Sequence, residues 1–221
     1  MRLFTAVYPP AEAVTHLTAR LAGLRLGAAA AAGTNVRLVD PARAHLTLAF
    51  LGEVDPARLA EIRHALQHAV AAAPTGPPVL RLGGGGRFGW GRSTVLWIDV
   101  RGDVSRLVAL AAAVRTELAE VGVPTDEKPF RPHLTIARPG DRLTHADIEA
   151  DLATLDGYLG PPWSAGELVL VHSRPGPRRA ITASPPAHSD RDSARSLLVR
   201  DLLPRGRRSA ILHFWSLFCP R

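Results

Sequence analysis

His45-Leu46-Thr47-Leu48-Ala49 returns further along the chain as His133-Leu134-Thr135-Ile136-Ala137. A repeat of this kind organises everything around it, and the flanks of the two copies match in type. Arg2 to Tyr8 is a short, partly β-branched apolar run ending at Pro9-Pro10. Val14, Leu17, Leu21 and Leu24 then fall on one helical stripe as far as about Leu26. Thr94 to Val100 is a stronger strand signal. It leads into a helix from about Val104 to Val121, with Leu107, Leu110, Ala111, Val114 and Leu118 at helical spacing. The sequences after each copy match too. Asp55 as N-cap and Pro56 at the first helical position open a helix carrying Leu59, Ile62, Leu66 and Val70, and Thr144 caps one carrying Ile148, Leu152 and Leu155. Strands from Pro78 to Leu82 and from Glu167 to His172 close the two units.

Each half therefore reads strand, helix, strand with the His-x-Thr motif, helix, strand. The expected fold is α+β, with two pseudo-symmetric lobes enclosing a central cleft. Each lobe is a mainly antiparallel sheet with helices on its outer face, and the repeat halves run from about 1 to 90 and 91 to 178. In a strand, residues i and i+2 share a face. His45 and Thr47 then project together, while Leu46, Leu48 and Phe50 turn to the core. His133 and Thr135 project likewise, backed by Leu134 and Ile136.

Two histidines lining one cleft suit acid–base work at phosphorus. Displacement at a phosphodiester needs one group to take a proton from the nucleophile and another to protonate the leaving oxygen. Imidazole does either near neutrality. Threonines and nearby arginines would hold the non-bridging oxygens and favour the charge of the transition state. The chemistry requires no metal and no cofactor.

The quoted pair is similar to the two signature motifs of the two-histidine phosphoesterase superfamily. The start Met1-Arg-Leu-Phe-Thr-Ala6, the run His45 to Val54, and Lys128-Pro-Phe-Arg-Pro-His-Leu-Thr-Ile-Ala-Arg138 resemble the bacterial RNA 2′,3′-cyclic phosphodiesterases, also known as the 2′-5′ RNA ligase family. The resemblance covers about residues 1 to 178. It implies a bilobal fold and hydrolysis of RNA 2′,3′-cyclic phosphate ends to 2′-phosphates. His45 would be the proton donor to the 3′ leaving oxygen and His133 the proton acceptor that activates water. Thr47, Thr135 and Arg138 would hold the phosphate; in the first copy the place of Arg138 is taken by Phe50. The expected partner is RNA with a 2′,3′-cyclic phosphate terminus, bound by a cytoplasmic monomer away from any membrane. The alternatives are 2′-5′ RNA ligation, hydrolysis of a small cyclic nucleotide, or an RNA-end binding protein without turnover.

Composition bounds these readings. The 221 residues are 46% hydrophobic, enough for a real core. The single Cys219 supports neither an internal disulfide nor a cysteine-rich metal site. The formal charge of +7 invites a nucleic-acid reading, yet all of it sits after Ser173. That segment holds ten arginines against Asp190, Asp192 and Asp201, whereas residues 1 to 173 balance. Residues 179 to 221 read as an atypical Arg-rich tail, disordered or loosely docked. Family members continue here with a glycine-rich turn and a Tyr-containing strand. One codon choice for Arg178 to Ala183, read two bases later, gives a similar Pro-Arg-Tyr-His-Arg. The tail is therefore expected to be frameshifted, leaving one sheet without its last strand and with an open edge.

Other signals carry less. Gly84, Gly86 and Gly89 satisfy Gly-x-Gly-x-x-Gly, but a strand follows rather than a helix, so the stretch reads as a mobile turn between the halves. Phe88 and Trp90 at its end are candidates for stacking on a base. His64 and His68 share a helix face without a third ligand, His16 and His145 read as surface residues, and His172 is a candidate for the cleft.

Overall fold

The computed structural model describes residues 1–173, except Asn35, Thr75 and Glu127, together with the strand 194–201. The elements are β1 (Arg2–Val7), α1 (Ala11–Ala22), α2 (Arg25–Ala31), β2 (Arg37–Leu38), β3 (Leu46–Glu53), α3 (Leu59–Ala72), β4 (Val79–Phe88), β5 (Val95–Gly102), α4 (Val104–Glu120), β6 (His133–Arg138), α5 (His145–Asp156), β7 (Trp163–Ser164), β8 (Glu167–Ser173) and β9 (Ala194–Asp201). Helix starts follow local chemistry. Asp55 accepts from the Ala57 N–H at 2.9 Å and, with Pro56, sets a 3-10 turn that runs into α3. Thr144 and Asp147 form a reciprocal capping box at α5.

One cap is tertiary. The stripe expected to run unbroken to Leu26 stops at Ala22, and a second helix begins at Arg25. Its first N–H groups are satisfied from α5, where the Asp151 carboxylate accepts from Arg25 N and Leu26 N, both at 2.9 Å. Asp151 is 1% exposed, so these bonds are what make its burial tolerable.

All strand pairs are antiparallel, in the order β7-β4-β5-β6-β3-β1-β8-β9, with β2 on β6. Under the sequence repeat β1 corresponds to β5, β3 to β6 and β4 to β8, so the order reads the same from either end of its central six strands. Each half gives its last strand to the other: β4 pairs with β5, and β8 with β1. The two sheets expected from the repeat are joined into one nine-stranded sheet, because β3 and β6 pair at Leu46 and Leu134. That link is one residue pair wide.

Leu3, Val7, Leu46, Leu134, Leu168 and Leu170 belong to the main core, which the helices complete. On the opposite face Ala6, Val169 and Val171 make a separate small cluster with Phe4 and Tyr8.

Three further expectations are corrected. Gly83 to Gly86 is not a turn but lies inside β4, which runs on to Phe88. A bulge between Leu82 and Gly85 uses Gly84 at φ 80°, and a Cβ at Gly86 would overlap the indole of Trp97 on β5. The glycines admit neighbours rather than bend the chain. Phe50 is not in the core: it is 51% exposed and packs on Phe4 with ring centroids 6.0 Å apart. The cause is a register shift at Leu48, which reverses the alternation beyond Thr47. Finally, the edge of β8 is not open. β9 pairs along it from Glu167↔Asp201 to Ser173↔Ala194. Of the stretch expected to be a disordered or loosely docked tail, residues 194–201 form β9, and the rest lies outside the described residues.

Candidate active site

Each histidine is delivered to its strand by a short constrained approach. Before His45, Asp40 accepts from Ala42 N at 2.9 Å and closes a 3-10 turn over Pro41–Arg43. Before His133 stands Pro132, which restricts Arg131 to extended backbone. The outcome is the same in both copies. His45 Nδ1 lies 2.7 Å from Arg43 O, and His133 Nδ1 lies 2.7 Å from Arg131 O. A carbonyl oxygen can only accept, so each Nδ1 carries a proton and each Nε2 is left to exchange one.

The link between β3 and β6 brings these groups together. Leu46 and Leu134 face each other, and each is bracketed by its own histidine and threonine. In antiparallel register His45 aligns with Thr135, and Thr47 with His133. All four side chains are half-buried, while Leu46 and Leu134 are buried beneath them. The structure therefore places His45, His133, Thr47 and Thr135 on one shared face.

Arg138 joins this face for a reason that plain alternation misses. Leu96 pairs with Ala137 but Trp97 with Thr135, so Ile136 is bulged just as Leu48 is in the first copy. The bulge turns Arg138 to the side of His133 and Thr135, and turns Phe50 to the side of His45 and Thr47. Arg138 is exposed.

The surroundings of the two histidines differ. His45 is packed by Phe4 at 5.0 Å and Tyr8 at 5.7 Å. His133 meets Phe88 edge-on at 5.0 Å and Trp97 at 6.1 Å, and the Arg131 guanidinium stacks 4.3 Å from the Trp97 ring centre. Burial holds the His45 pKa below its ordinary value of 6.5. The Arg43 and His133 charges lower it further, against the opposing effect of the hydrogen bond to Arg43 O.

The remaining histidines are elsewhere. His16 Nδ1 is 3.1 Å from the Tyr158 hydroxyl, and His145 lies 3.9 Å from Glu149. His172 pairs with buried Leu3 and so sits on the helix side, away from His45. His68 approaches Glu117 at 3.7 Å. Among the described residues no group of three His, Cys, Asp or Glu side chains is placed to hold a metal ion. No described helix is long and apolar enough to cross a membrane.

The class defined by this architecture is a duplicated α+β fold presenting two His-x-Thr strands on one antiparallel face. The sequence profile of the 2′-5′ RNA ligase superfamily matches residues 9–177, and the chain belongs to that superfamily. Curated relatives named RNA 2′,3′-cyclic phosphodiesterase include one from Geobacillus stearothermophilus, 38% identical over 95 residues, covering 42% of this chain and 29% of that protein. Another, from Escherichia coli, is 37% identical over 94 residues, covering 42% and 50%. One from Archaeoglobus fulgidus is 33% identical over 142 residues, covering 62% and 72%. The matched stretch is thus at most half of the first two relatives. In fold, the chain is similar to a solved structure from Thermus thermophilus, with TM-score 0.62 and 24% identity over 93% of this chain and all of that one. It is also similar to E. coli LigT complexed with 3′-AMP, with TM-score 0.59 and 24% identity over 90% and 95%.

Proposed function

We propose that this chain hydrolyses RNA 2′,3′-cyclic phosphate ends to 2′-phosphates by acid–base catalysis between His45 and His133. The observation that carries this reading is the matched pair of imidazoles, each with Nδ1 tied to a carbonyl and with no partner on Nε2 among the described residues, bracketing the Leu46–Leu134 pair. The names of the curated relatives point the same way.

In the proposed reaction His133 Nε2 takes a proton from water as its oxygen attacks phosphorus. The bond to O3′ breaks, and cationic His45 gives its Nε2 proton to that oxygen. The products are a 2′-phosphate and a 3′-hydroxyl, and each proton transfer is worth roughly 10²- to 10⁴-fold. Thr47, Thr135 and Arg138 hold the non-bridging oxygens, with Arg138 adding a charge-assisted contact on one side only. Neither step calls for more than a donor and an acceptor, so turnover needs no metal.

The lowered pKa of His45 works against its donor role in the free protein. A bound phosphate counters this, because an adjacent negative charge favours the imidazolium. The protein is proposed to act as a cytoplasmic monomer on RNA ends, with its catalytic unit within residues 1 to 178.

The test is turnover of an RNA oligonucleotide ending in a 2′,3′-cyclic phosphate, in EDTA, with the product identified. A 2′-phosphate is expected. A 3′-phosphate, or no reaction, overturns the proposal, and joining of ends through a 2′-5′ linkage moves it to the ligase.

A further inference from the structure

Arg138 faces a residue of its own sign. In the β2–β6 ladder it pairs with Arg37, and like charges directly opposite on antiparallel strands are unfavourable. Neither guanidinium has an ion-pair partner among the described residues. Both line a cavity of about 530 Å³ at the end of β6, together with Arg92, Arg142 and Asp141. Asp141 is already engaged. Arg92 reaches its Oδ2 at 3.0 and 3.1 Å, and Arg142 approaches Oδ1 at 3.7 Å. One carboxylate among four guanidiniums leaves a surplus of three positive charges around a single hollow.

Such a surplus is stable when an anion completes it, and planar guanidiniums suit phosphate oxygens in particular. Arg138 links the hollow to the reacting face, because the Ile136 bulge turns it to the side of His133 and Thr135. On a cyclic-phosphate RNA end, every other phosphate lies on the 5′ side. We infer that this cavity binds a backbone phosphate of the RNA strand upstream of the cyclic end, with Arg37 as its principal contact and Arg138 standing between the two phosphates. The inference rests on the proposed hydrolase reading. It makes the protein a reader of strands rather than of mononucleotides.

The experiment compares a five-nucleotide RNA ending in a 2′,3′-cyclic phosphate with a mononucleoside 2′,3′-cyclic phosphate. The proteins are wild type, Arg37→Ala and Arg63→Ala, the last removing an equal charge from the exposed side of α3. The wild type is expected to favour the strand in kcat/KM. Arg37→Ala should cut that preference about tenfold, chiefly through KM, whereas Arg63→Ala leaves it unchanged. Fluorescence anisotropy with the same RNA, labelled at its 5′ end and carrying the product 2′-phosphate, reads the subsite without turnover. There Arg37→Ala should weaken binding about tenfold and reduce the slope of log K against log salt by about 0.7. Equal loss on both substrates, no loss on the strand, or the same loss in Arg63→Ala overturns the subsite. A wild type that binds the RNA with this Arg37 dependence but turns over neither substrate overturns the hydrolase reading and leaves the subsite standing.

Discussion

The strand beginning at Leu46 and the strand beginning at His133 have the same backbone devices and different company. Both place a histidine with Nδ1 against the carbonyl two residues back, a threonine beside it, and a bulge one residue later. In the first copy the histidine is wrapped by Phe4 and Tyr8, and the strand runs on to Phe50. In the second it sits beside Trp97 and a stacked arginine, and the strand runs on to Arg138 and its facing Arg37. The repeat thus supplies two equivalent imidazoles, and the side chains around them divide the labour. One side is apolar and favours a neutral ring; the other is cationic and suits an anion. The unequal surroundings separate the two imidazoles, and for the proposed donor role of His45 a bound phosphate has to offset the burial that favours its neutral ring.

The largest expected effect tests whether the two copies act as one unit. His45→Ala and His133→Ala should each lower kcat/KM by roughly 10²- to 10⁴-fold, and the double variant should lose little more than the worse single one. Losses that multiply would mean two independent contributions. Next, Arg138→Ala should cost roughly 10- to 100-fold, the worth of a charge-assisted contact. Adding Phe50→Arg to it should not restore the rate. Restoration would show the copies to be interchangeable and the phosphate clamp symmetric.

Gly86→Ala acts on the second copy alone. Its methyl would displace the Trp97 indole that packs on His133, so the expected cost is about 1–3 kcal/mol of stability, read by urea unfolding. An unchanged midpoint would show that the indole is not held there. The smallest effect is in the pH profile. Burial lowers the His45 pKa, so if His45 is the donor, kcat/KM should begin to fall with rising pH below 6.5. The corresponding limb in kcat should lie higher, where bound phosphate favours the cation. A kcat/KM profile with no limb below 6.5 would contradict the lowered His45 pKa.

Much of this is legible in the sequence. The repeat, the helical stripes, the caps at Asp55 and Thr144, and the projection of each His with its Thr follow from periodicity and turn chemistry. What escapes depends on single residues or on contacts distant in sequence. A one-residue bulge leaves no mark on composition, yet it decides where Phe50 and Arg138 point. Gly83 to Gly86 carry the turn signal because glycine is common in turns, but here Trp97 and the neighbouring helix require them. The exchange of β4 and β8 between halves is tertiary, as is the capping of α2 by Asp151. Arg37 lies in a two-residue strand with no period to notice. Only its position opposite Arg138 gives it meaning.

The claim on which the rest depends is that His45 and His133 serve one phosphate from a shared face. NMR of the two imidazoles, titrated with pH in the presence and absence of a nucleoside 2′-monophosphate, tests it most directly. The account predicts that both neutral rings carry their proton on Nδ1, that His45 titrates below 6.5 in the free protein, and that the nucleotide shifts both rings together. A nucleotide that perturbs one histidine and leaves the other unmoved would contradict it.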